Sequence, residues 1–354
     1  MYKKFIRRPT ASLPAAALVM LVGASCGTAS STGSTSTSGA TGTSKATNFG
    51  PTVQAKFAYF VSTDTAVGQG AKKFASLVAA DTGNTVQIQV YPNSELGTVP
   101  SVLQAVSGGR IQFVATTNLS ALVPSADAIL APYIFSSTDQ AQKVLNSSVL
   151  QQALWSKFAA KNAEVIGVWG QGFADLLTKK PVKTPADLQG MRIRIYDPGV
   201  GVPQYKALGA DAVNMTPNQV FTALSTNAID GAEDPVATLY GLHWNEEAKY
   251  LAQTEHSYVS APVLASTQFM NSLTAAQKQG VLKAFNDTIA YEVQQSTQID
   301  ATALAALKAA GTVVTPVDKA AFKAKLAPLY SEFAAKFPGT WAAMAKAGAD
   351  ISNG

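Results

Sequence analysis

The chain has 354 residues, 47% of them hydrophobic, and a formal net charge of +5, a length that suggests two domains with a sizeable core. Lys3, Lys4, Arg7 and Arg8 supply four of the positive charges with no acid beside them, so the rest of the chain carries about +1 (5 − 4). The basic balance is a property of the N-terminus and gives no argument for a nucleic-acid partner.

That N-terminus continues into an apolar stretch from Ala11 to Val22 and the small residues Gly23-Ala24-Ser25 before Cys26, the single cysteine. Residues 1–25 have the layout of a secretory signal peptide and are too short for a good membrane span. Small residues directly before a lone cysteine resemble a lipobox, which implies a lipid-modified Cys26, although Gly23 stands where Leu is usual. Arg7-Arg8 hints at twin-arginine export, but Pro9-Thr10 replaces the apolar pair expected after it. From Gly27 to about Asn48 the sequence is Ser, Thr, Gly and Ala with one Lys45, too polar to fold, and residues 26–50 read as a flexible tether. Together these place a soluble domain outside the cytoplasm, in the periplasm or on the outer face of the cell membrane, held to that surface by a lipid anchor. One cysteine excludes an internal disulfide, and no later stretch is apolar and long enough to cross a bilayer.

From Gly50 onward, strands alternate with helices, which argues for an α/β class. Val53 to Val61 is an aromatic-rich buried strand that runs into the polar loop Ser62-Thr63-Asp64-Thr65, and a helix follows with Phe74, Leu77 and Val78 on one face. Thr85 to Tyr91 has period two; a helix through Val102-Leu103-Ala105-Val106 ends at Gly108-Gly109. Ile111 to Ala115 is the next strand, with Thr116, Thr117 and Asn118 at its end, where open α/β sheets place their ligands. Glu164 to Trp169 is a strand that crosses into a second unit, and Thr184-Pro185-Ala186-Asp187 opens a short helix with Thr184 as N-cap.

The stretch from Thr184 to Tyr258 is the organising one. In Gly190-Met191-Arg192-Ile193-Arg194-Ile195 the apolar residues share one strand face and the arginines the other. An arginine there is either a planar fork matched to a carboxylate or part of the solvated face of an edge strand. Thr216-Pro217-Asn218-Gln219 opens a helix with a capping box. Forty positions after Arg194 (234 − 194) stands Asp234, which can neutralise the guanidinium, recognise a hydroxyl or ammonium, or cap a helix before Pro235. Ser260 to Phe269 is a returning strand, and from the capping box Thr274-Ala275-Ala276-Gln277 a helical pattern runs to Ala310, with Gly280 its weak point. Thr312 to Val314 is a last strand, followed by amphipathic helices around Phe322 to Phe337 and Trp341 to Ala349.

The order Ala207-Leu208-Gly209-Ala210, Val213-Asn214-Met215, Val220-Phe221-Thr222-Ala223-Leu224, Ile229-Asp230-Gly231-Ala232-Glu233-Asp234-Pro235 after the Arg194 strand resembles the extracytoplasmic solute-binding subunit of TRAP transporters (the DctP type). Tyr91-Pro92 to Leu96-Gly97, Ala131-Pro132-Tyr133-Ile134-Phe135 and Trp244 to Tyr258 extend the likeness over residues 51 to about 310. The resemblance implies a two-lobed periplasmic-binding-protein-like (Venus flytrap) fold with a long brace helix across both lobes: 51–171 with 260–299 as lobe I, 172–259 with 300–354 as lobe II. It implies capture of a small organic acid clamped by Arg194, hinge closure, and delivery to TRAP membrane subunits. Asp234 occupies a ligand-contacting position that often carries Asn, and Met215, Trp169, Phe173, Thr116, Thr117 and Asn118 are further candidate contacts. Gly172 to Thr178 lacks the arginine the family usually has there; Ala174 and Asp175 stand instead. A plain dicarboxylate is therefore disfavoured against a monocarboxylate with hydroxyl, keto or amino groups.

An extracytoplasmic enzyme finds little support, because from Gly50 onward the chain has no G-x-S-x-G elbow, H-E-x-x-H pair or P-loop. His256 reads as a satisfied structural imidazole, and no cofactor or metal site is expected. A ligand-sensing binding protein without transport shares every motif above.

Overall fold

The structure, a computed structural model, describes residues 49–350; the signal peptide, Cys26 and nearly all of the tether lie outside the described residues. Strand β1 (Val53–Ala58) leads to helix α1 (Ala66–Asp81). Thr65, the last residue of the polar loop, caps that helix by accepting from Gly68 N at 3.2 Å. A Cβ on Gly68 would meet Ser62 O at 2.6 Å, so the loop folds back tightly over the helix start. Strand β2 (Val86–Tyr91), helix α2 (Val99–Ser107) and strand β3 (Phe113–Ala115) complete a parallel β2-β1-β3 unit. Helices α3 (Thr138–Leu145) and α4 (Ser148–Ala153) follow, each capped by the serine before it.

Two long strands then tie the sheet together. Strand β4 (Ala163–Thr178) and strand β8 (Tyr250–Ser266) pair antiparallel along almost their whole length, from Ala163 opposite Ser266 to Thr178 opposite Tyr250. Between them in sequence come β5 (Arg192–Ile195), α5 (Pro198–Leu208), β6 (Asp211–Asn214), α6 (Pro217–Ser225), β7 (Gly231–Pro235) and α7 (Val236–Gly241). The strand order among the described residues is β2-β1-β3-β8-β4-β7-β5-β6, with β9 (Val313–Thr315) also pairing β8. Both long strands thus belong to the first parallel unit at one end and to the β7-β5-β6 unit at the other. The register shifts between Gly170 and Phe173 and again between Ala174 and Leu176, so the ladder bends where it passes from one unit to the other.

Helix α8 (Thr267–Ser272) precedes α9 (Ala275–Ala309), whose 35 residues span about 50 Å. The capping box read from the sequence is formed: Gln277 N donates to Thr274 Oγ1 at 3.2 Å, and Thr274 N to Gln277 Oε1 at 3.0 Å. Helix α9 packs on α1 at one end and α7 at the other. Gly280 is explained by that packing, since a Cβ there would meet Asp81 O, at the end of α1, at 2.8 Å. The chain finishes with α10 (Lys319–Leu326) against α5 and with α11 (Pro328–Lys336) and α12 (Pro338–Ala347), the last packed on α4 and α3.

The core of the first unit is aromatic. Phe57, Phe74, Phe113, Trp169, Phe269 and Phe285 meet edge to face, tilted or stacked, with ring centroids 5.3 to 6.4 Å apart. Among the described residues no helix is long and apolar enough to cross a membrane.

Candidate functional site

Alternation along β5 buries Met191, Ile193 and Ile195 in the core and turns both arginines to the other face. Arg192, whose side chain is 41% exposed, forks onto Asp230, Nε to Oδ2 at 3.0 Å and Nη2 to Oδ1 at 2.8 Å. Arg194 is 2% exposed. Its Nε donates to Met215 O at 3.1 Å, and its Nη1 donates to Glu233 O at 2.9 Å and Asp234 Oδ2 at 2.6 Å. The guanidinium carbon lies 5.2 Å from the centre of the Trp244 ring, a cation–π contact. Among the described residues these hydrogen bonds engage Nε and Nη1, and Nη2 takes part in none of them.

Beneath the arginine, Glu233 Oε2 accepts from Tyr205 OH at 2.7 Å and lies 2.8 Å from His256 Nε2. A carboxylate accepts, so Nε2–H is the donor to Glu233, and Nδ1 lies 2.8 Å from the Thr254 hydroxyl. His256 is therefore a buried, doubly bonded imidazole, in line with its sequence reading.

Four carboxyls surround the bend. Burial pushes Asp234 above the usual range, with Arg194 opposing. Asp175, directly across the ladder from Asp234, accepts from Glu255 N at 2.9 Å and is pushed up by burial to about 7. On α9, Asp300 accepts from Ala237 N at 3.1 Å and burial raises it to about 7. Glu292, also on α9, accepts from Gly170 N at 2.9 Å through Oε2, leaves Oε1 without a partner, and is raised by burial to about 8. A cavity of about 10 Å³, the size of one water, is lined by Thr65, Gln171, Thr238, Ser296, Ile299 and Asp300. Thr238 also hydrogen-bonds Asp234, so the cavity adjoins the arginine's partner.

The other residues singled out in the sequence scatter around this centre. Thr117 Oγ1 donates to Ser260 O at 2.9 Å and accepts from Gln171 Nε2 at 3.3 Å. Asn118 Nδ2 donates to Tyr196 O at 3.2 Å, joining the end of β3 to the end of β5, and its Oδ1 is buried without a partner. Thr116 is buried and accepts from Asn118 N at 3.3 Å. Phe173 packs edge to face on Tyr258, centroids 5.2 Å apart. Two residues sit otherwise than the sequence suggests. Trp169 has no exposed surface; it stacks between Phe57 and Phe285 and donates from Nε1 to Thr288 Oγ1 at 3.2 Å, so it is core rather than a wall of the cavity. Met215 serves Arg194 through its backbone oxygen, while its side chain packs on the core. Glu292 and Asp300 escaped the sequence reading because acids on a long polar helix look solvated. The signal was the buried spacing Val281, Phe285, Thr288, Glu292, Ser296, which puts Glu292 on the inward stripe. Among the described residues no group of three or more His, Cys, Asp or Glu is arranged to hold a metal ion.

Residues 57–336 match the model for the bacterial extracellular solute-binding protein family 7. The C4-dicarboxylate-binding periplasmic protein DctP of Rhodobacter capsulatus is 30% identical over 300 residues, covering 82% of this chain and 90% of that protein. The sugar acid binding protein of Advenella mimigardefordensis, solved with galactonate, superposes with a TM-score of 0.78 at 25% identity, covering 84% of this chain and 99% of that one. A TRAP periplasmic solute-binding protein of Desulfovibrio salexigens, solved with orotic acid, gives 0.77 at 25% identity, covering 83% and 96%. With its two-lobed α/β architecture, this chain belongs to the bacterial extracellular solute-binding protein family 7, the DctP-type solute-binding proteins of TRAP transporters.

Proposed function

We propose that the chain is the substrate-binding subunit of a TRAP-type secondary transporter, which captures a small organic acid outside the cytoplasm and hands it to the membrane subunits. The carboxylate lies on Arg194, and binding favours the closed arrangement of two lobes hinged on β4 and β8. The observation that carries this is the buried guanidinium held through Nε and Nη1 by Met215 O, Glu233 O and Asp234, bonds in which Nη2 takes no part among the described residues. The ligands named for its relatives, C4-dicarboxylates, galactonate and orotic acid, all bear a carboxylate.

The lobes are 51–171 with 260–299 and 172–259 with 300–354; the register shift between Gly170 and Phe173 supports the first crossing point. Helix α12, packed on α3 and α4, rides on the first lobe. Asp234, Met215, Phe173, Thr116, Thr117 and Asn118 contribute to the cleft, Met215 by its carbonyl and Asn118 by its unpartnered oxygen. Asp175 in place of an arginine favours a monocarboxylate bearing hydroxyl, keto or amino groups over a dicarboxylate. Cys26 carries the lipid anchor, and palmitate labelling of the exported protein, abolished in Cys26→Ala, tests that part.

The main test is a thermal-shift screen of the purified chain against dicarboxylates and substituted monocarboxylates. A ligand held only by the folded form, at about a hundred times its Kd, adds about 2.7 kcal/mol. The expected result is a rise in Tm with a monocarboxylate that is lost in both Arg194→Ala and Arg194→Lys, since lysine keeps the charge but not the fork. Tight dicarboxylate binding that survives Arg194→Ala would overturn the clamp and the ligand preference together.

A further inference from the structure

The charges around Arg194 do not suit a simple anion. The guanidinium already has Asp234 against it at 2.6 Å, inside the protein. Asp300, Asp175 and Glu292 lie around the same bend, and none of them has an ion-pair partner within 4.0 Å among the described residues. Each bonds only to a backbone N–H: Ala237, Glu255 and Gly170 respectively. No lysine or arginine lines the cavity beside Asp300. An incoming carboxylate alone would meet desolvated carboxyls that must hold or take up protons to receive it, and it would gain no cation beyond Arg194 there. A ligand carrying its own positive charge removes that cost.

We infer that the solute is an α-amino acid in its zwitterionic form, with its carboxylate on Nη2 of Arg194 and its ammonium against Asp234 and Asp300. Arg194 and Asp234 touch each other, so the ligand groups that engage them must also be neighbours. Carboxylate and ammonium on a single carbon satisfy this with no rotor to freeze, whereas groups separated along a chain must be curled together at an entropic cost. The Thr238 hydroxyl, bonded to Asp234 and lining the cavity with Asp300, connects the two acids that receive the ammonium. The inference rests on the proposal that Arg194 holds a carboxylate and narrows what that carboxylate belongs to.

It also fixes the sign of a proton exchange. Asp300, raised to about 7, is influenced by Asp234 on β7 and itself acts on Asp175 of β4 and on Glu292 of its own helix. An ammonium placed against this group favours the ionised forms, so binding near pH 7 releases protons. A carboxylate placed there without an ammonium does the opposite and takes protons up.

Titration calorimetry of the whole chain tests this with matched sets: alanine, lactate, pyruvate and propionate; leucine, 2-hydroxyisocaproate and 2-ketoisocaproate; glutamate and 2-hydroxyglutarate. Each is run near pH 7 in two buffers of different ionisation enthalpy, which counts the protons. The expected outcome is that in at least one set the amino acid binds about tenfold or more tighter than its partners, with protons released, and that Asp234→Asn and Asp300→Asn each narrow that gap. The proton count on the unaltered chain stands even if a variant fails to fold. Hydroxy, keto or plain acids binding as tightly as the amino acid, or any binding with proton uptake, overturns the inference and leaves the Arg194 clamp intact. Amines without a carboxylate binding equally well overturn both, and no amino acid binding in any set overturns the inference alone.

Discussion

Arg192 and Arg194 are two positions apart on the same strand face, yet one ends at the surface and the other inside. The face was legible in the sequence, because period two separates the arginines from Met191, Ile193 and Ile195. Depth was not, because it depends on β7 and the Trp244 region covering one end of β5 and leaving the other open. The consequence for stability is unequal. Breaking the exposed Arg192–Asp230 pair by Arg192→Ala is expected to cost about 1 kcal/mol or less. Arg194→Ala leaves Asp234 buried without its cation and is expected to cost about 3–5 kcal/mol, much of it restored when Asp234→Asn is combined with it. Urea unfolding of the two single variants and the double variant measures all three, and equal costs at the two arginines would contradict the burial argument. Trp169 shows the same limit of sequence reading. An aromatic on a long strand can face the ligand or the core, and the Phe57 and Phe285 rings that decide it come from elements more than a hundred residues away on either side.

The long helix α9 was legible almost to the residue, because Thr274 and Gln277 mark its start and Gly311 its stop. The strands β4 and β8 were legible only in part. Glycines and register shifts around Gly170 to Phe173 interrupt the alternation, so β4 seemed to end at Trp169 when it continues to Thr178. Helix α9 and β4 meet at Glu292, whose carboxyl is raised from an ordinary 4.5 to about 8. In the folded state this group holds its proton where the unfolded chain has lost it. Its contribution to stability is therefore fully present below about pH 4.5 and is lost as pH rises through about 8, on the order of a few kcal/mol. Glu292→Gln, which stays neutral, is expected to flatten that part of the pH–stability curve in chemical unfolding at pH 5, 7 and 9. An unchanged slope would mean that Glu292 is not buried as described. At the helix start, Thr274→Ala removes the cap and is expected to cost about 1 kcal/mol.

At the scale of the whole molecule, neither sheet unit is a continuous piece of chain. The first needs β8 against β3 and α9 against α1, and the second needs both long strands and β9. The bend between the units carries Gly172, at φ +96°, where a Cβ would fall 2.1 Å from Asp300 Oδ2. Gly172→Ala therefore strains the backbone and pushes on α9 at the bend, where the proposed closure has its hinge. Under the proposed closure it is expected to weaken ligand binding and to reduce the fall in radius of gyration that ligand is expected to cause in the unaltered chain, both measured by small-angle scattering; a full-sized fall in the variant would place the hinge elsewhere. The same discontinuity governs the order in which the chain can acquire structure as it emerges N-terminus first. Strands β1 to β3 and helix α1 appear early, but β3 keeps an open edge until residues 263–265 arrive, and α1 keeps a bare apolar face until 275–309 arrive. Most of the chain must therefore be out before either half can close on itself, and the nascent protein passes through a long interval with an unpaired strand edge. A fold whose two halves share their central strands is in this sense born late and all at once.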